Sequence, residues 1–472
     1  MAKTLPEAFR KRMAAQLGTE YDDFISAYEL PPVRGLRINT LKISKERFSE
    51  LCPWKPEQAS TLDEGLILLE DVPHIGSHPY HIAGLFYVQE PSAMSVIEAA
   101  RIEPGMRVLD LCAAPGGKSG GIAARLKGCG FLLANEIVPS RSKQLARSLE
   151  RLGVVNAAVT CAHPDSIAEA LPRCFDRVIV DAPCSGEGMF RKDDTAIAEW
   201  SPEHVAACAL RQKAILESAE KCLAPGGKLV YSTCTFSPDE NEGVIDFFLE
   251  RHAEYSLESM HRLYPHSTKG EGHFVAVLSK HSDDAGVYRK EQMLACSVKA
   301  AKKSPSVRPL DKKNGQLIEA FFSEALIAHA PDISQLRTAA SGRDRSGSRL
   351  IYCPFDFPEA LLSLPIVSLG VEVGECVRDR FKPSHSFFMA AHGLTYRNRI
   401  ELSPASRELA AFLRGETLEF SCEFDHCGEY SRYMPVCVHD FPVGFGKLSD
   451  GVIKNHLPKG LVSQSFGGAF DE

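Results

Sequence analysis

Two cysteines stand at positions where a reactive thiol could do chemistry. Cys184 lies in the segment DAPCSG and Cys234 in the segment STCT, and each comes at the end of a short apolar run that polar residues follow. Most cysteines in a chain of this kind are small hydrophobic core residues. A thiol just beyond a strand is instead placed for nucleophilic catalysis. We expect the core role for three others: Cys129, Cys208 and Cys222.

A glycine-rich turn follows an earlier apolar run. Its residues are Cys112, Ala113, Ala114, Pro115, Gly116, Gly117 and Lys118. A turn of this type at the start of a helix lets the backbone approach a ligand closely. A phosphate-binding P-loop would need a glycine at the position of Cys112, and Pro115 also suits it poorly. The turn is therefore predicted to bind a nucleotide-like ligand in another way.

Three acidic residues follow the neighbouring apolar runs. Glu136 lies 20 residues after Gly116, where a carboxylate can accept hydrogen bonds from both hydroxyls of a ribose. That spacing fits either a dinucleotide or S-adenosylmethionine. Asp165 is placed to contact the edge of an adenine, and Asp181 faces the same crevice. Each acid has an alternative interpretation as a helix N-cap.

These side chains can act together only if the strands they follow share one sheet. Apolar runs predict strands at 106–112, 130–136, 154–160, 175–183 and 227–234. Amphipathic stretches predict helices at about 117–127, 139–152, 203–223 and 238–252. Alternation of this kind predicts a parallel sheet with helices on both faces, which binds ligands beyond the carboxyl ends of its strands. We expect both cysteines and all three acids at that edge.

Composition and charge limit the class of protein. A chain of 472 residues is long enough for several domains. Its 15 cysteines are scattered without regular pairing, which favours reduced thiols. No apolar run approaches the ~18 residues of a membrane span, and the charged N-terminus does not read as a secretory signal. A cytoplasmic location is therefore expected. The net charge of −7 says little about nucleic-acid binding, because basic residues can cluster on one face.

No metal site is expected. Cys422, Cys427 and Cys437 lie near His426 and His439 in the sequence, but they lack the paired spacing of a structural zinc site.

Four motifs match a known family. They are CAAPGGK at 112–118, DAPCSGEGMFRKD at 181–193, STCTFSPDENE at 232–242 and LYPHSTKGEGHF at 263–274. They resemble the NSUN, or Sun-type, RNA 5-methylcytosine methyltransferases. The GEGHF segment and the long C-terminal extension are similar to the bacterial RsmF subgroup, which acts on small-subunit ribosomal RNA. The resemblance is strongest over 84–280 and thinnest over 281–395.

The resemblance implies an α/β fold with a Rossmann-like class I methyltransferase core. It also implies a small N-terminal α/β RNA-binding unit and a C-terminal PUA-like β-rich domain, since RGLRINTLK (34–42) and the segment 444–460 are similar to those modules. The expected domains are an N-terminal helix and RNA-binding unit at 1–100, the methyltransferase domain at 101–280, a basic linker at 281–313, an intermediate region at 314–395 and the PUA-like domain at 396–472.

The resemblance also implies a reaction. The 5-position of cytosine is too weakly nucleophilic to attack a methyl sulfonium directly, so a thiolate first adds to the adjacent ring carbon. The family pattern gives Cys234 this role and Cys184 a part in releasing the product. Asp181 would stabilise the charge that develops on the ring nitrogen and the exocyclic amine.

S-adenosyl-L-methionine is the implied cofactor. The family's contacts fall on the loop 112–118 and on Glu136, Asp165 and Asp181. The family's third-strand motif often carries Asp-Gly, whereas this chain has Ser166 after Asp165. The sequence leaves open whether Lys118 touches the cofactor, the RNA or a neighbouring carboxylate.

Other interpretations of the function remain. Pro183-Cys184 alone would suit a DNA cytosine-5 methyltransferase, but the second cysteine and the PUA-like tail favour RNA. A tRNA enzyme or an inactive RNA-binding ribosome-assembly factor are the further alternatives. The expected partner is 16S ribosomal RNA or the small subunit, with no membrane and no obligatory protein partner. The segment 190–192 (FRK) would either line the mouth of the pocket or form a solvated loop.

Overall fold

The structure, a computed structural model, describes residues 4–282, 307–340, 347–390, 394–419, 424–425 and 428–462. Most of the predicted basic linker therefore lies outside the described residues, as do Cys422, His426 and Cys427. No helix within these ranges combines the length and the apolar character that a membrane span requires.

The N-terminal part consists of a helical pair followed by a small antiparallel sheet. The sheet order is β2-β3-β1-β4. The elements are α1 (Glu7–Leu17), α2 (Tyr21–Ala27), β1 (Arg34–Ile38), α3 (Lys45–Leu51), β2 (Glu57–Gln58), β3 (Gly65–Leu68), α4 (Pro79–Ile82) and β4 (Phe86–Val88).

A mainly parallel sheet with helices on both faces forms the centre of the molecule, which confirms the predicted α/β core. Its first helix and strands are α5 (Ser95–Ala100), β5 (Arg107–Asp110), β6 (Phe131–Asn135), β7 (Ala157–Thr160), β8 (Phe175–Asp181), β9 (Leu223–Thr233), β10 (Tyr255–Leu263) and β11 (His273–Lys280). Its further helices are α6 (Gly117–Leu126), α7 (Pro139–Leu152), α8 (Pro164–Ala170), α9 (Asp194–Glu199), α10 (Pro202–Cys222) and α11 (Glu242–Arg251). Strands β5 to β9 run parallel in the order β9-β8-β5-β6-β7, and β10 and β11 are antiparallel.

Local sequence explains why these elements begin and end where they do. Helix α7 starts at a proline, whose fixed φ suits the first helical position. Leu145, Leu149 and Leu152 recur at helical spacing and are buried against the sheet. The helix ends at Gly153, which adopts a φ of 74°.

The intermediate region adds an eighth strand to the central sheet. Strand β16 pairs antiparallel with β7 at the edge of that sheet. The other strands β12, β14, β15, β17 and β18 form a separate five-stranded sheet. The elements are β12 (Arg308–Pro309), α12 (Lys312–Ala325), β13 (Leu326–Ala328), β14 (Leu336–Ala340), β15 (Ser348–Tyr352), β16 (Ile366–Leu369), β17 (Val371–Val377), β18 (Arg380–Pro383), α13 (His385–Met389) and β19 (Thr395–Tyr396).

The C-terminal part is β-rich, as predicted. A five-stranded sheet in the order β20-β22-β23-β24-β21 packs with one helix. The elements are β20 (Ile400–Glu401), α14 (Arg407–Leu413), β21 (Leu418–Glu419), β22 (Tyr433–Val438), β23 (Phe441–Ser449) and β24 (Val452–Asn455). Its core is continuous with that of the N-terminal sheet through residues such as Phe86 and Phe412.

Two of the three cysteines expected in the core are buried there. Cys208 and Cys222 are buried in α10, as predicted. The prediction for Cys129 is wrong: this residue is exposed, because it lies in the turn between α6 and β6 and not inside either element.

Candidate active site

The carboxyl ends of β9, β8 and β5 lie side by side in the middle of the sheet. In the parallel pairing Asp181 of β8 stands beside Ser232 of β9, and the segments after these strands turn into the same crevice. Side chains that are about 50 residues apart in sequence are thereby brought into contact, as the strand alternation predicts.

The two predicted catalytic cysteines meet at this edge. The Sγ atoms of Cys184 and Cys234 are 3.3 Å apart, and each side chain is half-buried. The pKa of Cys184 is raised well above its usual value, first by its hydrogen bond with Cys234 and then by burial. Cys184 is therefore held as a protonated thiol against the second sulfur.

Asp181 lies in the same crevice and is paired with Lys118. Its Oδ2 atom is 2.6 Å from Lys118 Nζ, and its Oδ1 atom accepts a hydrogen bond of 2.9 Å from Ser232 Oγ. Burial is the largest single influence on its pKa and raises it; the cation of Lys118 is the largest opposing influence, and the pKa is lowered overall. Asp181 is thus an anion, and the role of Lys118 left open by the sequence is a contact with a carboxylate.

His273 is a residue of this site that the sequence analysis did not single out. It is the first residue of β11, the strand that pairs with β9, and is 3% exposed. Its Nε2 atom is 3.7 Å from Asp181 Oδ1, and neither ring nitrogen has a hydrogen-bond partner among the described residues. Burial, with Lys118 nearby, lowers its pKa to about 3, so the ring is neutral. Its place in the GEGHF motif was the available signal.

The glycine-rich loop 112–118 joins β5 to α6. Gly116 adopts a φ of 108°, and an added Cβ would come within 3.1 Å of the Ser148 side chain, so a larger residue would be strained there. Lys118 and Ser119 turn inward to carboxylates, unlike the corresponding residues of a P-loop, which bind phosphate and magnesium. The prediction that this is not a P-loop agrees with that arrangement.

Asp110, another residue that the sequence analysis missed, lies behind the loop at the end of β5. Its Oδ2 atom accepts a 2.6 Å hydrogen bond from Ser119 Oγ, and its Oδ1 atom has no partner among the described side chains. Complete burial raises its pKa to about 7. The Cys112 thiol also has a raised pKa because it is buried and lies near Asp110, so Cys112 is expected to be unreactive.

Two of the three acids predicted to bind the cofactor, Glu136 and Asp165, occupy different surroundings. Glu136 is buried just beyond β6; it accepts a 2.9 Å hydrogen bond from the Val138 amide and lies 3.3 Å from Arg141. Asp165 stands in the first turn of α8, where its carboxylate accepts a hydrogen bond from Ser218 of α10. The N-cap of α8 is His163, so Asp165 is not the N-cap that its alternative interpretation proposed.

The buried carboxylate of Glu240 holds the segment that carries Cys184. Glu240 accepts hydrogen bonds from the Ser185 amide at 2.9 Å and from Gln212 at 2.8 Å, and it also accepts from Ser185 Oγ. Since Glu240 follows Cys234 by a few residues, it links the two cysteine segments to each other.

In the segment 190–192, Lys192 is exposed, whereas Phe190 and Arg191 fit neither of the two predictions. Phe190 is fully buried and Arg191 is 7% exposed, so neither lines a pocket mouth or stands in a solvated loop. Both face the N-terminal part of the chain, which the sequence analysis had no means of placing there.

A group of acidic residues and a histidine lies elsewhere. Glu220, His252 and Glu254 bring their ligand atoms within 4.8 Å of one another. Glu220 is 2.6 Å from Lys280, however, so a cation of the protein already occupies part of this group.

The chain matches three family models. One described as 16S rRNA methyltransferase RsmB/F covers residues 99–290. One described as the N-terminal domain of 16S rRNA methyltransferase RsmF covers 5–91, and one described as the methyltransferase RsmF PUA domain covers 397–463.

Full-length relatives are similar over nearly the whole chain. The "Ribosomal RNA small subunit methyltransferase F" of Serratia proteamaculans is 33% identical over 476 residues, covering 97% of this chain and 95% of the relative. The protein of the same name from Erwinia tasmaniensis is 32% identical over 485 residues, covering 97% and 96%. A solved structure of a methyltransferase homolog protein from Pyrococcus horikoshii is 30% identical, with a TM-score of 0.53, and covers 58% of this chain and 95% of that one.

Proposed function

The chain belongs to the ribosomal RNA small subunit methyltransferase F family, and on that basis we propose that it methylates the 5-position of a cytosine in 16S ribosomal RNA through a covalent adduct on Cys234. The observation that carries the mechanism is the pair of thiols 3.3 Å apart beside the Asp181–Lys118 ion pair. Cytoplasmic action on the small subunit or its RNA is part of the proposal, and so are the domain limits given above.

The residues of the loop and the neighbouring strand ends fit S-adenosylmethionine. Gly116 adopts a backbone conformation that favours glycine at the turn into α6, the Glu136 carboxylate stands beyond β6, and Asp110 Oδ1 is a buried acceptor without a partner among the described side chains. We assign the contacts to the loop 112–118, Glu136, Asp165 and Asp181. When bound, S-adenosylmethionine supplies an electrophilic methyl group.

The first step belongs to Cys234. Cys234 gives up its thiol proton to water and its sulfur forms a bond to C6 of the cytosine. The electrons of the C5–C6 double bond move through C4 onto the ring nitrogen N3, which takes up a proton from water. The base must leave its stack to reach the crevice. Asp181 is an anion held by Lys118 and Ser232, so it accepts hydrogen bonds from the exocyclic amine and from N3 as that nitrogen gains a proton.

The last step belongs to Cys184. After C5 is methylated, its proton must leave so that the bond between C6 and Cys234 can break. The Cys184 sulfur lies 3.3 Å from the Cys234 sulfur, so Cys184 stands beside the adduct. Cys184 gives up its thiol proton to water, and its thiolate takes the proton from C5. The C5–H electrons restore the C5–C6 double bond, and the electrons of the C6–S bond return to Cys234.

The test compares Cys184→Ala, Cys234→Ala and the double variant, each incubated with 16S ribosomal RNA and S-adenosylmethionine and run on a denaturing gel. We expect Cys184→Ala to accumulate a covalent RNA adduct, because addition proceeds but release is blocked. Cys234→Ala and the double variant should form none. Cys129→Ala, which removes an exposed thiol outside the site, is the matched control and should behave like the wild type.

Each other outcome has a definite meaning. An adduct in Cys234→Ala that is absent from Cys184→Ala would reverse the two roles. Methylation of tRNA in place of 16S ribosomal RNA would keep the chemistry and change the substrate. Absence of both adduct and methylation with either RNA would favour an RNA-binding assembly factor.

A further inference from the structure

The N-terminal helical pair, formed by α1 and α2, packs against the segments that carry both catalytic cysteines. The ring of Phe9 lies 5.1 Å from that of Phe190, and the ring of Phe24 lies 5.6 Å from that of Phe236. All four rings are fully buried in one core cluster. Phe190 follows Cys184 by six residues and Phe236 follows Cys234 by two, so the helical pair rests on both segments at once.

An ion pair lies at the centre of this contact. Arg12 of α1 donates to Glu187 over 2.6 Å, and the Glu187 side chain has no exposed surface. The same carboxylate accepts hydrogen bonds of 2.9 Å from the Phe236 amide and from Trp200 Nε1. Glu187 stands three residues after Cys184. One buried carboxylate therefore joins the Cys184 segment, the Cys234 segment and the first helix.

Further polar contacts reinforce the arrangement. Gln16 donates to the Phe236 carbonyl at 3.2 Å and to the Tyr264 hydroxyl at 2.7 Å. Arg191 donates to the Ala27 carbonyl at 2.9 Å.

The segment after α2 is held in the same way. The Val33 amide donates at 2.9 Å to Glu271, a buried carboxylate that also binds Arg191. The contacts of the helical pair thus end on segments that lead directly to Cys184, Cys234 and His273.

A buried carboxylate keeps its place only while its charge is compensated. Without the guanidinium of Arg12, two neutral N–H donors would remain on Glu187. The carboxylate would then draw in water or turn outward, and the cysteine segments bonded to it would move with it. A displacement of about 1 Å at a catalytic group can reduce a rate by a factor of about 100.

We propose that the N-terminal helical pair is part of the catalytic apparatus, and that Arg12 is a positioning residue that acts through Glu187 to set the relative placement of Cys184 and Cys234. This differs from the expectation that the first helix belongs to an RNA-binding unit. The inference rests on the proposed function, because it takes these two thiols as the reacting groups.

The experiment compares Arg12→Met, Arg12→Lys and Arg10→Met in the full chain. Arg12→Met removes the guanidinium, which lies over the rings of Phe9 and Trp200 and pairs with Glu187, but keeps an unbranched apolar side chain. Arg12→Lys restores a cation. Arg10→Met removes an exposed arginine two residues away on α1 and is the matched control. The measurements are kcat, KM for 16S ribosomal RNA, KM for S-adenosylmethionine, and the rate of adduct formation in a Cys184→Ala background.

We expect Arg12→Met to lower kcat and the adduct-formation rate by roughly 10- to 100-fold, with both KM values within about twofold of the wild type. Arg12→Lys should recover most of the loss, and Arg10→Met should leave all values unchanged. If Arg12→Met does not fold, Gln16→Met tests the contact of α1 with the Cys234 segment at the Phe236 carbonyl and should give a smaller loss in kcat.

Two results would overturn the inference. An unchanged kcat in Arg12→Met would show that Arg12 positions nothing in the reaction. A raised KM for RNA with unchanged kcat would assign the helix to RNA binding. Failure of the proposed function is distinguishable from both, because the wild-type chain would then produce neither methylated RNA nor adduct.

Discussion

Lys118 determines the charge of the residue that must interact with the base. It compensates the Asp181 carboxylate across 2.6 Å in a crevice where burial alone would favour the neutral acid. The proposed mechanism needs the anion, since a protonated carboxyl could not accept hydrogen bonds with both oxygens from the exocyclic amine and from protonated N3. The glycine-rich loop thus acts on the substrate side of the crevice as well as on the cofactor side.

The Lys118–Asp181 ion pair predicts how kcat depends on pH. With Lys118 present, the pKa of Asp181 is below its usual value, so Asp181 stays ionised throughout about pH 5 to 8. Lys118→Met should raise that pKa, because burial would no longer be opposed by the nearby cation. The acid limb of the kcat–pH profile should then move to higher pH than in the wild type. Lys143→Met, an exposed residue of α7, is the control; a profile unchanged in Lys118→Met would contradict the assigned role.

Asp110 should make the stability of the protein depend on pH. Its pKa is about 7 in the folded chain and 3.8 as the ordinary value, so between these limits the native state binds more protons than the unfolded state. The free energy of unfolding should therefore fall as pH rises through this window, by about 1.4 kcal/mol per unit for this group. Asp110→Asn, which cannot ionise, should remove that component.

The measurement is urea unfolding at about pH 5 and pH 6 for the wild type and Asp110→Asn. The difference between the two pH values should be smaller by about 1 kcal/mol in the variant. Equal differences in both proteins would mean that Asp110 is already ionised in the native state.

At the scale of elements, strand β16 connects two sheets that the sequence analysis treated as belonging to separate regions. It pairs with β7, and the Pro365 carbonyl just before it accepts from the Cys161 amide at the start of the loop that leads to Asp165. Gly370 then separates β16 from β17, with a φ of 54°. The intermediate region therefore supports the loop that leads to Asp165, our proposed contact to the adenine.

Gly370→Ala should disrupt this junction. An added Cβ would overlap the backbone carbonyl of Tyr352 and would also force an alanine into the left-handed region. We expect the free energy of unfolding to fall by about 2 kcal/mol or more. Gly451→Ala is the matched control, because Gly451 also has a positive φ but no atom within 4 Å of the added Cβ. Its cost should be about 1 kcal/mol, and equal losses in both variants would remove the packing argument.

The predictions from sequence succeeded for elements whose partners are near in the chain. Helix α7 runs over the predicted residues 139–152, since its leucine spacing and its terminal glycine are local signals. The pairing of β16 with β7 joins residues about 200 positions apart, and no local pattern specifies it. The parallel sheet was accessible because alternation of strands and helices restricts topology by itself.

The same distinction holds within the site. Cys184, Cys234 and Asp181 were predicted because each stands at the end of a strand or just beyond it. His273 and Asp110 were missed, because a histidine and an aspartate have many structural uses and their importance comes from burial beside charges contributed by other strands.

At the scale of the whole molecule, the N-terminal part packs both against the segments of the site and against the C-terminal sheet. Residues near the N-terminus complete a site built from segments near residues 184, 234 and 271, and the C-terminal sheet shares its core with the N-terminal one. The contacts that support the site extend beyond the methyltransferase sheet to the N-terminal helical pair.

The Arg12–Glu187 ion pair has a consequence for the synthesis of the protein. The two residues are 175 positions apart, so the first helix leaves the ribosome roughly 10 to 35 seconds before its partner at a translation rate of about 5–20 residues per second. During that interval Phe9, Met13 and Phe24 have none of the partners from residues 190–236 that bury them in the finished protein. The nascent chain carries an uncovered apolar helix pair until about half of it has been made, so the catalytic segments cannot be held in place before that point.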